Sequence, residues 1–394
     1  MRYKIVLLIL LFLLPAASVG AVSTESPTAT TPQEIADVQK GVLDLTRLEI
    51  FLDEVDKDLG EYLPELSLET MINSLKQGKL DLATKDILSG LKRYFFHEVT
   101  LNFSLLGKLL IIAVICAVLQ NMQAAFEKGT VAKLAYFVCY LAIITLAINS
   151  FHVAVAAGLS AINKMTGFMQ LLLPILLVVL TAMGNLTSVA LFQPFLMAFL
   201  SFLGFLTKTI IFPLIYLTVV LSIVNHISEN FKVTKLTGLV KQFTKVGLGL
   251  TLTLFIGVIT VEGVAGGVVD GVSLRTAKFV TGAFVPVAGS MFADALDAVI
   301  GGSILLKNVL GITGVIILAL LVLFPVIKIL VIALIYRVAA ALIQLLGDSM
   351  LAETLDDLAG SLLLSFAAVL TVGIMFFLAI TALVATANFT LMLR

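Results

Sequence analysis

The sequence predicts an all-α fold, that of a polytopic helical membrane protein with a short exported helical segment at its N-terminus. Of the 394 residues, 60 % are hydrophobic and only 13 % are charged, which is about half the charged share of an ordinary soluble domain. The mean hydropathy is +1.12. Apolar runs long enough to cross a bilayer recur from residue 105 onward. This composition excludes an ordinary soluble enzyme, an acidic disordered tail and a basic nucleic-acid-binding protein.

Residues 1–21 have the three parts of a secretory signal peptide. Arg2 and Lys4 form a positively charged start, and residues 5–14 form an apolar run that is too short to span a membrane. Small residues follow at 18–21, where we expect cleavage. Residue 22 onward is then outside the cytoplasm. An uncleaved membrane anchor is the alternative.

Residues 22–100 are predicted to form an extracytoplasmic helical segment. Apolar residues recur at helical spacing in three stretches that start near Leu48, Leu68 and Ile87. Residues 22–98 hold 15 acidic and 8 basic residues, a net charge of −7, which suits an exported segment. A segment this short and polar cannot bury a large core. Its apolar stripes therefore need the membrane surface, the membrane spans or another protein as a partner.

Residues 101–394 are predicted to form a multi-span membrane domain. The apolar runs of spanning length are 105–123, 132–157, 165–183, 187–206, 209–227, 246–264, 308–326, 329–346 and 362–388. Only Pro325 and Lys328 interrupt 308–346, so this stretch is either two helices or one long bent helix. The stretch 264–305 is rich in glycine and charge, and it either crosses the membrane or re-enters it. We therefore expect seven to nine spans.

Positive charge predicts the orientation of the spans, because cytoplasmic loops are enriched in Lys and Arg. If residues 22–104 are outside, the lysine-rich loop 228–245 is inside. The acidic residues that follow residue 346 then lie outside, provided that 264–305 does not cross fully. These acidic residues are Asp348, Glu353, Asp356 and Asp357. Lys92 and Arg93 fit this scheme as the basic end of an interfacial helix that touches anionic lipid.

Most of the charges at membrane level lie between residues 257 and 308. A charge at membrane depth is costly unless it is paired or hydrated. This stretch therefore lies in the interface, buries paired charges or lines an aqueous path. The candidate conduit or buried-charge residues, which include one from the next span, are Glu262, Asp270, Arg275, Asp294, Asp297, Lys307 and Arg337.

Asp294 and Asp297 are three residues apart and face one way on a helix. They could bind a cation or a proton, or pair with Lys307 or Arg337.

Gly263, Gly267 and Gly271 recur every four residues, which on a helix gives a smooth ridge that another helix can approach closely. We interpret them as a helix-packing ridge. A flexible hinge or a re-entrant loop is the alternative.

Enzyme chemistry has no support in the sequence. The two cysteines, Cys116 and Cys139, lie in apolar runs and exclude a disulfide framework. The chain has neither the spacing of a metal site nor a GxxxxGK[ST] phosphate loop. We expect no enzymatic activity, no cofactor, no metal and no nucleic-acid partner.

Five short stretches between residues 269 and 308 resemble the signature of the stage III sporulation protein AE family. They are Val269-Asp270-Gly271-Val272-Ser273, Thr276-Ala277-Lys278, Val285-Pro286-Val287, Asp294-Ala295-Leu296-Asp297 and Leu305-Leu306-Lys307-Asn308. The order of signal peptide, exported segment and multi-span body also resembles that family.

The resemblance implies a setting in endospore-forming bacteria, in the mother-cell membrane that surrounds the forespore. It implies a polytopic subunit of a channel or secretion-like complex that supports late forespore development. The implied partners are other membrane and extracytoplasmic proteins of the stage III sporulation complex, a forespore membrane protein and the lipid bilayer. Self-association into a homo-oligomer stays open. The resemblance supplies no catalytic or ligand-binding residues.

Two alternatives to a conduit subunit remain: a stand-alone solute permease, and a membrane scaffold that recruits the complex and transports nothing. A conduit or a permease needs some of the buried charges hydrated. A scaffold needs them only as paired packing elements.

Overall fold

The structure is a computed structural model that describes residues 48, 50, 51, 53, 80–125, 130–227, 232–284 and 288–392. All of these residues belong to the unit Asp44–Arg394. The predicted signal peptide and most of the predicted extracytoplasmic segment, up to residue 79, lie outside the described residues.

Every regular element in the described part of the chain is helical, which confirms the all-α fold. The helices are α1 (Leu80–Ala125), α2 (Thr130–Ala182), α3 (Leu186–Leu206), α4 (Phe212–Ile227), α5 (Thr234–Phe284), α6 (Ala288–Leu345) and α7 (Ser349–Met392). A π-helical segment, Thr207–Ile211, joins α3 to α4 without a break. A continuous helix satisfies its own backbone hydrogen bonds, which an apolar environment requires.

Six helical stretches in the described residues are long and apolar enough to cross a membrane. They are Leu88–Gln120, Leu134–Ala182, Leu186–His226, Thr234–Ser273, Ile300–Leu345 and Ser349–Thr386. The expected number of seven to nine spans is therefore not confirmed.

Three predicted pairs of spans are each one helical stretch. The runs 132–157 and 165–183 both lie in α2, and 308–326 and 329–346 both lie in α6. The runs 187–206 and 209–227 are joined through the π-helical segment. Proline does not end these helices, because its loss of one backbone hydrogen bond is tolerated where neighbouring helices supply packing. Pro174 lies inside α2 and Pro325 inside α6.

The joined helices are longer than a bilayer is thick. At 1.5 Å per residue, the 53 residues of α2 and the 58 residues of α6 extend about 80 and 90 Å. The hydrocarbon core of a bilayer is only about 30 Å thick. Each of these helices is therefore long enough to extend well beyond that layer.

Helices α2, α6 and α7 form the core of the bundle, and glycines allow them to approach closely. A methyl group at Gly373 of α7 would lie 2.5 Å from Val322 Cγ2 of α6. A methyl group at Gly314 of α6 would lie 2.6 Å from Leu172 Cδ2 of α2. A side chain at Gly373 has no room unless the branched side chain of Val322 moves, whereas at Gly314 the neighbouring atom is the flexible end of Leu172. Glycine at these positions therefore allows the helices to lie close together, most strictly at Gly373.

We expect Gly373→Val to destabilise the chain by about 1–3 kcal/mol, because the added side chain overpacks the contact between α6 and α7. The measurement is the thermal midpoint of the purified full-length chain, followed by circular dichroism.

Gly249→Val is the matched control, because a side chain at Gly249 of α5 meets no atom within 4 Å. Equal shifts of the thermal midpoint in the two variants would show that Gly373 does not set the helix separation.

Ion pairs bring the start of α5 and the start of α7 to the same end of the bundle. Lys241 Nζ lies 2.7 Å from Asp357 Oδ1. His226 Nε2, at the end of α4, lies 3.3 Å from Glu353 Oε2. The prediction that the lysine-rich loop and these acidic residues face opposite sides is therefore wrong. The reason is that the orientation requires residues 308–346 to cross twice, whereas α6 is one helix. One passage through α5 and one through α6 return the chain to the same end.

We expect single cysteines at positions 235 and 353 to react with a membrane-impermeant thiol reagent from the same side. The background chain carries Cys116→Ala and Cys139→Ala, and labelling is compared between intact and permeabilised cells. Labelling of one position from outside and the other only after permeabilisation would contradict this arrangement.

Candidate functional site

Asp270 is buried on α5 and binds the amino end of α3. Its side chain is 1 % exposed. The backbone N–H of Thr187 donates to Oδ1 at 2.7 Å, and that of Ser188 donates to Oδ2 at 2.8 Å. The first N–H groups of a helix have no partner within the helix, and the helix dipole favours a negative charge there. Asp270 therefore caps α3 from a helix more than 80 residues away in sequence.

The sequence around Asp270 allows this contact. One turn earlier, Gly266 is so close to α3 that a methyl group there would lie 2.9 Å from Ser188 Cα. Asn185, which precedes α3, makes no side-chain capping bond, so the cap comes from Asp270.

The structure describes the surroundings of only part of the predicted helix-packing ridge. A methyl group at Gly263 would make ordinary contacts with Thr386 and Phe192, at 3.6 and 3.7 Å. Gly271 is buried in α5, and the surroundings of Gly267 lie outside what the structure describes. Gly266, which the four-residue spacing does not include, lies closer to a neighbouring helix than Gly263, the one member of the ridge whose surroundings the structure describes in detail.

Lys307 is buried on α6, with 0 % of its side chain exposed. Its Nζ lies 3.4 Å from the backbone carbonyl oxygen of Val384 on α7, to which it can donate. One turn later, a methyl group at Gly311 would lie 2.7 Å from Val384 Cγ2, so the two helices are close at this level. A helical carbonyl oxygen has a second lone pair, and it can accept from the ammonium group without losing its helix bond.

Glu262 lies on α5 beside Gly263 and is partly exposed. Its Oε2 is buried and has no hydrogen-bond partner among the described atoms. Gly263, next to Glu262, lies close to Thr386 of α7, and Lys307 contacts Val384 of the same helix. Glu262 and Lys307 are therefore both near the last turns of α7.

Arg337 belongs to the opposite end of the bundle. It is 55 % exposed, and its Nε lies 3.7 Å from Asp356 Oδ1, close to the start of α7. Exposed ion pairs of this kind contribute little to stability. Arg337 is therefore not brought together with Asp270 or Lys307.

The remaining candidates are placed only by their backbone. Arg275 lies on α5, and Asp294 and Asp297 lie on α6. The side chains of these three residues lie outside what the structure describes.

A second ionic site, with a buried carboxylate and a partly exposed lysine, was not among the predicted candidates. Glu98 of α1 is 4 % exposed, and its Oε1 lies 3.6 Å from Lys328 Nζ of α6. Asn102 Nδ2 donates to Glu98 Oε2 at 3.0 Å. The signal that could have found this pair is the position of Lys328, a lone cation within an otherwise apolar run of α6.

Lys328 also lines a partly open cavity of about 360 Å³ between α1, α2 and α6. Tyr94 of α1 and Ser160 and Lys164 of α2 line the same cavity. Within the described ranges, no three His, Cys, Asp or Glu side chains come together as a metal-binding group.

These features define a helical bundle of the membrane type, with apolar helices, paired buried charges and a basic cavity. The chain belongs to the stage III sporulation protein AE family, whose family model matches residues 66–387. It is 40 % identical over 366 residues to the stage III sporulation protein AE of Bacillus subtilis (strain 168). That match covers 93 % of this chain and 92 % of the relative. No solved structure matches the chain.

We expect Asp270→Asn to destabilise the chain by about 1–3 kcal/mol, because an amide NH₂ replaces one of the two oxygens that accept from the start of α3. The measurements are the thermal midpoint of the purified chain and its amount in the membrane fraction.

Asp356→Asn is the control, since Asp356 is 66 % exposed and its pairing is loose. A thermal midpoint that falls no further for Asp270→Asn than for the control would contradict the capping role.

Proposed function

We propose that the chain is a polytopic membrane subunit of a sporulation-specific channel or secretion-like complex between the mother cell and the forespore. The observation that carries the proposal is the family match along most of a chain with six helices suited to a membrane. In this role the chain has no enzymatic activity, and the complex supports late forespore development.

The polar groups inside the bundle support a transport role. An apolar bundle that only needed stability would gain little from buried charges, because their desolvation offsets most of their mutual attraction. Lys307 and Glu98 are nevertheless buried between helices, and Lys328, the partner of Glu98, is one-third exposed. The cavity beside Lys328 is partly open, so this ionic contact is not sealed inside the bundle.

The proposed location is the mother-cell membrane around the forespore, with residues 22–100 on the extracytoplasmic side. The proposed partners are other membrane and extracytoplasmic proteins of the stage III sporulation complex and a forespore membrane protein. Self-association of this chain within the complex is compatible with the proposal.

A non-transporting scaffold is the second candidate. It is favoured by Asp270, because both carboxylate oxygens are occupied by the start of α3. A carboxylate engaged in this way acts as a packing element and is not available to a transported species.

We expect Asp294→Asn combined with Asp297→Asn to stop sporulation while the protein still accumulates and binds its partners. The physical reason is that a conduit loses its carboxylates without losing its helices. The measurements are heat-resistant spore counts and purification of the tagged chain from sporulating cells of an endospore-forming host that depends on it.

The control is Asp356→Asn, which removes an exposed carboxylate and should leave spore counts unchanged. Normal sporulation in the double variant would remove Asp294 and Asp297 from the mechanism. Loss of the protein itself would favour the scaffold. Purification of the wild-type chain without any other stage III sporulation protein would contradict membership of a complex.

A further inference from the structure

The two cysteines of the chain meet where α1 packs against α2. Cys116 lies nine residues before the end of α1 at Ala125, and Cys139 lies nine residues after the start of α2 at Thr130. Antiparallel helices that follow each other closely in sequence bring residues at equal distances from the connection to the same level. The side chains agree with this placement, because the thiols of Cys116 and Cys139 are hydrogen-bonded to each other.

Contacts with α7 hold Cys139 on the inner side of α2. Tyr136, three residues before Cys139, donates to Asp348 Oδ2 at 3.0 Å. Tyr140, directly after Cys139, is fully buried, and its hydroxyl group also contacts α7. Residues three apart on a helix lie on the same face. The two tyrosines therefore orient this turn of α2 so that Cys139 stays close to Cys116.

The two thiols differ in access from outside the bundle. Cys116 is 0 % exposed, whereas Cys139 is partly exposed. Reactive cysteines are partly exposed, and fully buried cysteines are inert toward external reagents. Both residues lie close to an end of their apolar helical stretches, Leu88–Gln120 and Leu134–Ala182. A small oxidant dissolved in water therefore reaches Cys139 first.

A pair of adjacent thiols can hold a soft metal ion or form one disulfide bond. Structural metal sites that use cysteine take four protein ligands. Within the described ranges, no His, Asp or Glu side chains join the two thiols as a metal-binding group. A single disulfide needs no further group. Two cysteines are too few for a disulfide framework, but they are enough for this one bond.

We propose that Cys116 and Cys139 form a redox-active dithiol, which a hydroperoxide converts into an intrachain disulfide that links α1 to α2. With hydrogen peroxide, the sulfur of Cys139 attacks one peroxide oxygen, the O–O bond breaks, and a sulfenic acid and one water molecule form. The sulfur of Cys116 then attacks the sulfur of Cys139. The S–S bond forms, the S–O bond breaks, and a second water molecule leaves.

The two steps balance. The two thiols lose two electrons and two protons, and one molecule of hydrogen peroxide is reduced to two molecules of water. An external thiol reverses the reaction by thiol–disulfide exchange.

The test uses the purified full-length chain, reduced with dithiothreitol and then freed of reductant. After exposure to hydrogen peroxide, the chain is denatured, alkylated with N-ethylmaleimide and analysed by mass spectrometry. We expect two maleimide groups before oxidation, none after it, and two again after a second reduction. Proteolysis should yield a linked pair of peptides that contain Cys116 and Cys139. Retention of both free thiols, or linkage only between separate chains, would overturn the proposal.

Single variants test the order of attack, with dimedone as the probe for sulfenic acid. In Cys116→Ser, the sulfenic acid at Cys139 has no resolving thiol, so dimedone should label it. In the wild type this label should be lost, because Cys116 removes the sulfenic acid. Cys139→Ser should not be labelled, since its remaining thiol is buried. Equal labelling of the wild type and Cys116→Ser would contradict the role of Cys116.

The matched control moves one thiol by a single residue and combines Cys139→Ala with Val138→Cys. Val138 is 59 % exposed, so a thiol there points away from Cys116. We expect no linked peptide from this variant, provided that its reduced form has the thermal midpoint of the reduced wild type. A yield of linked peptide equal to that of the wild type would show that the bond does not depend on this pair of positions.

Discussion

The cost of moving a charge away from water governs the arrangement of this bundle. With charged residues so scarce, each one between the helices needs a partner or access to water. Asp270 is satisfied by the backbone of α3, Lys307 contacts a carbonyl of α7, and Glu98 pairs with Lys328. Each of these contacts joins two different helices. These polar contacts therefore add specific links between α5 and α3, between α6 and α7 and between α1 and α6, within a bundle that is packed mainly by apolar side chains.

Glycine and charge act together at these helix contacts. Gly266 lies one turn from Asp270, and Gly311 lies one turn from Lys307. A charged side chain can reach a backbone group of the neighbouring helix only if the two helix axes are close. The small residue provides that closeness. At Asp270 the charge also fixes the register, since a shift by one turn would move the carboxylate away from the first N–H groups of α3. Packing and electrostatics thus specify the same alignment.

The helical class could be predicted from the sequence, because apolar runs of this length have few other ways to satisfy their backbone. The positions at which helices end could not be predicted in the same way. Pro325 and Lys328 were both plausible interruptions, but Lys328 is compensated by Glu98, which is 230 residues away in sequence. A local hydropathy window cannot detect such a partner. The sequence marks Asp270 as a candidate because a lone charge among apolar residues is unusual. It does not show the capping role, because the partners of Asp270 at the start of α3 are brought to it only by the fold.

The site at Asp270 and the pair of Glu98 and Lys328 differ in how firmly their charged groups are held. Both oxygens of Asp270 accept backbone N–H groups that have no other partner, so a ligand could displace them only at the expense of the cap. The pair of Glu98 and Lys328 has a longer contact and borders a cavity. The fixed site is suited to holding helices together, whereas the site beside the cavity has a looser ionic contact and space next to it.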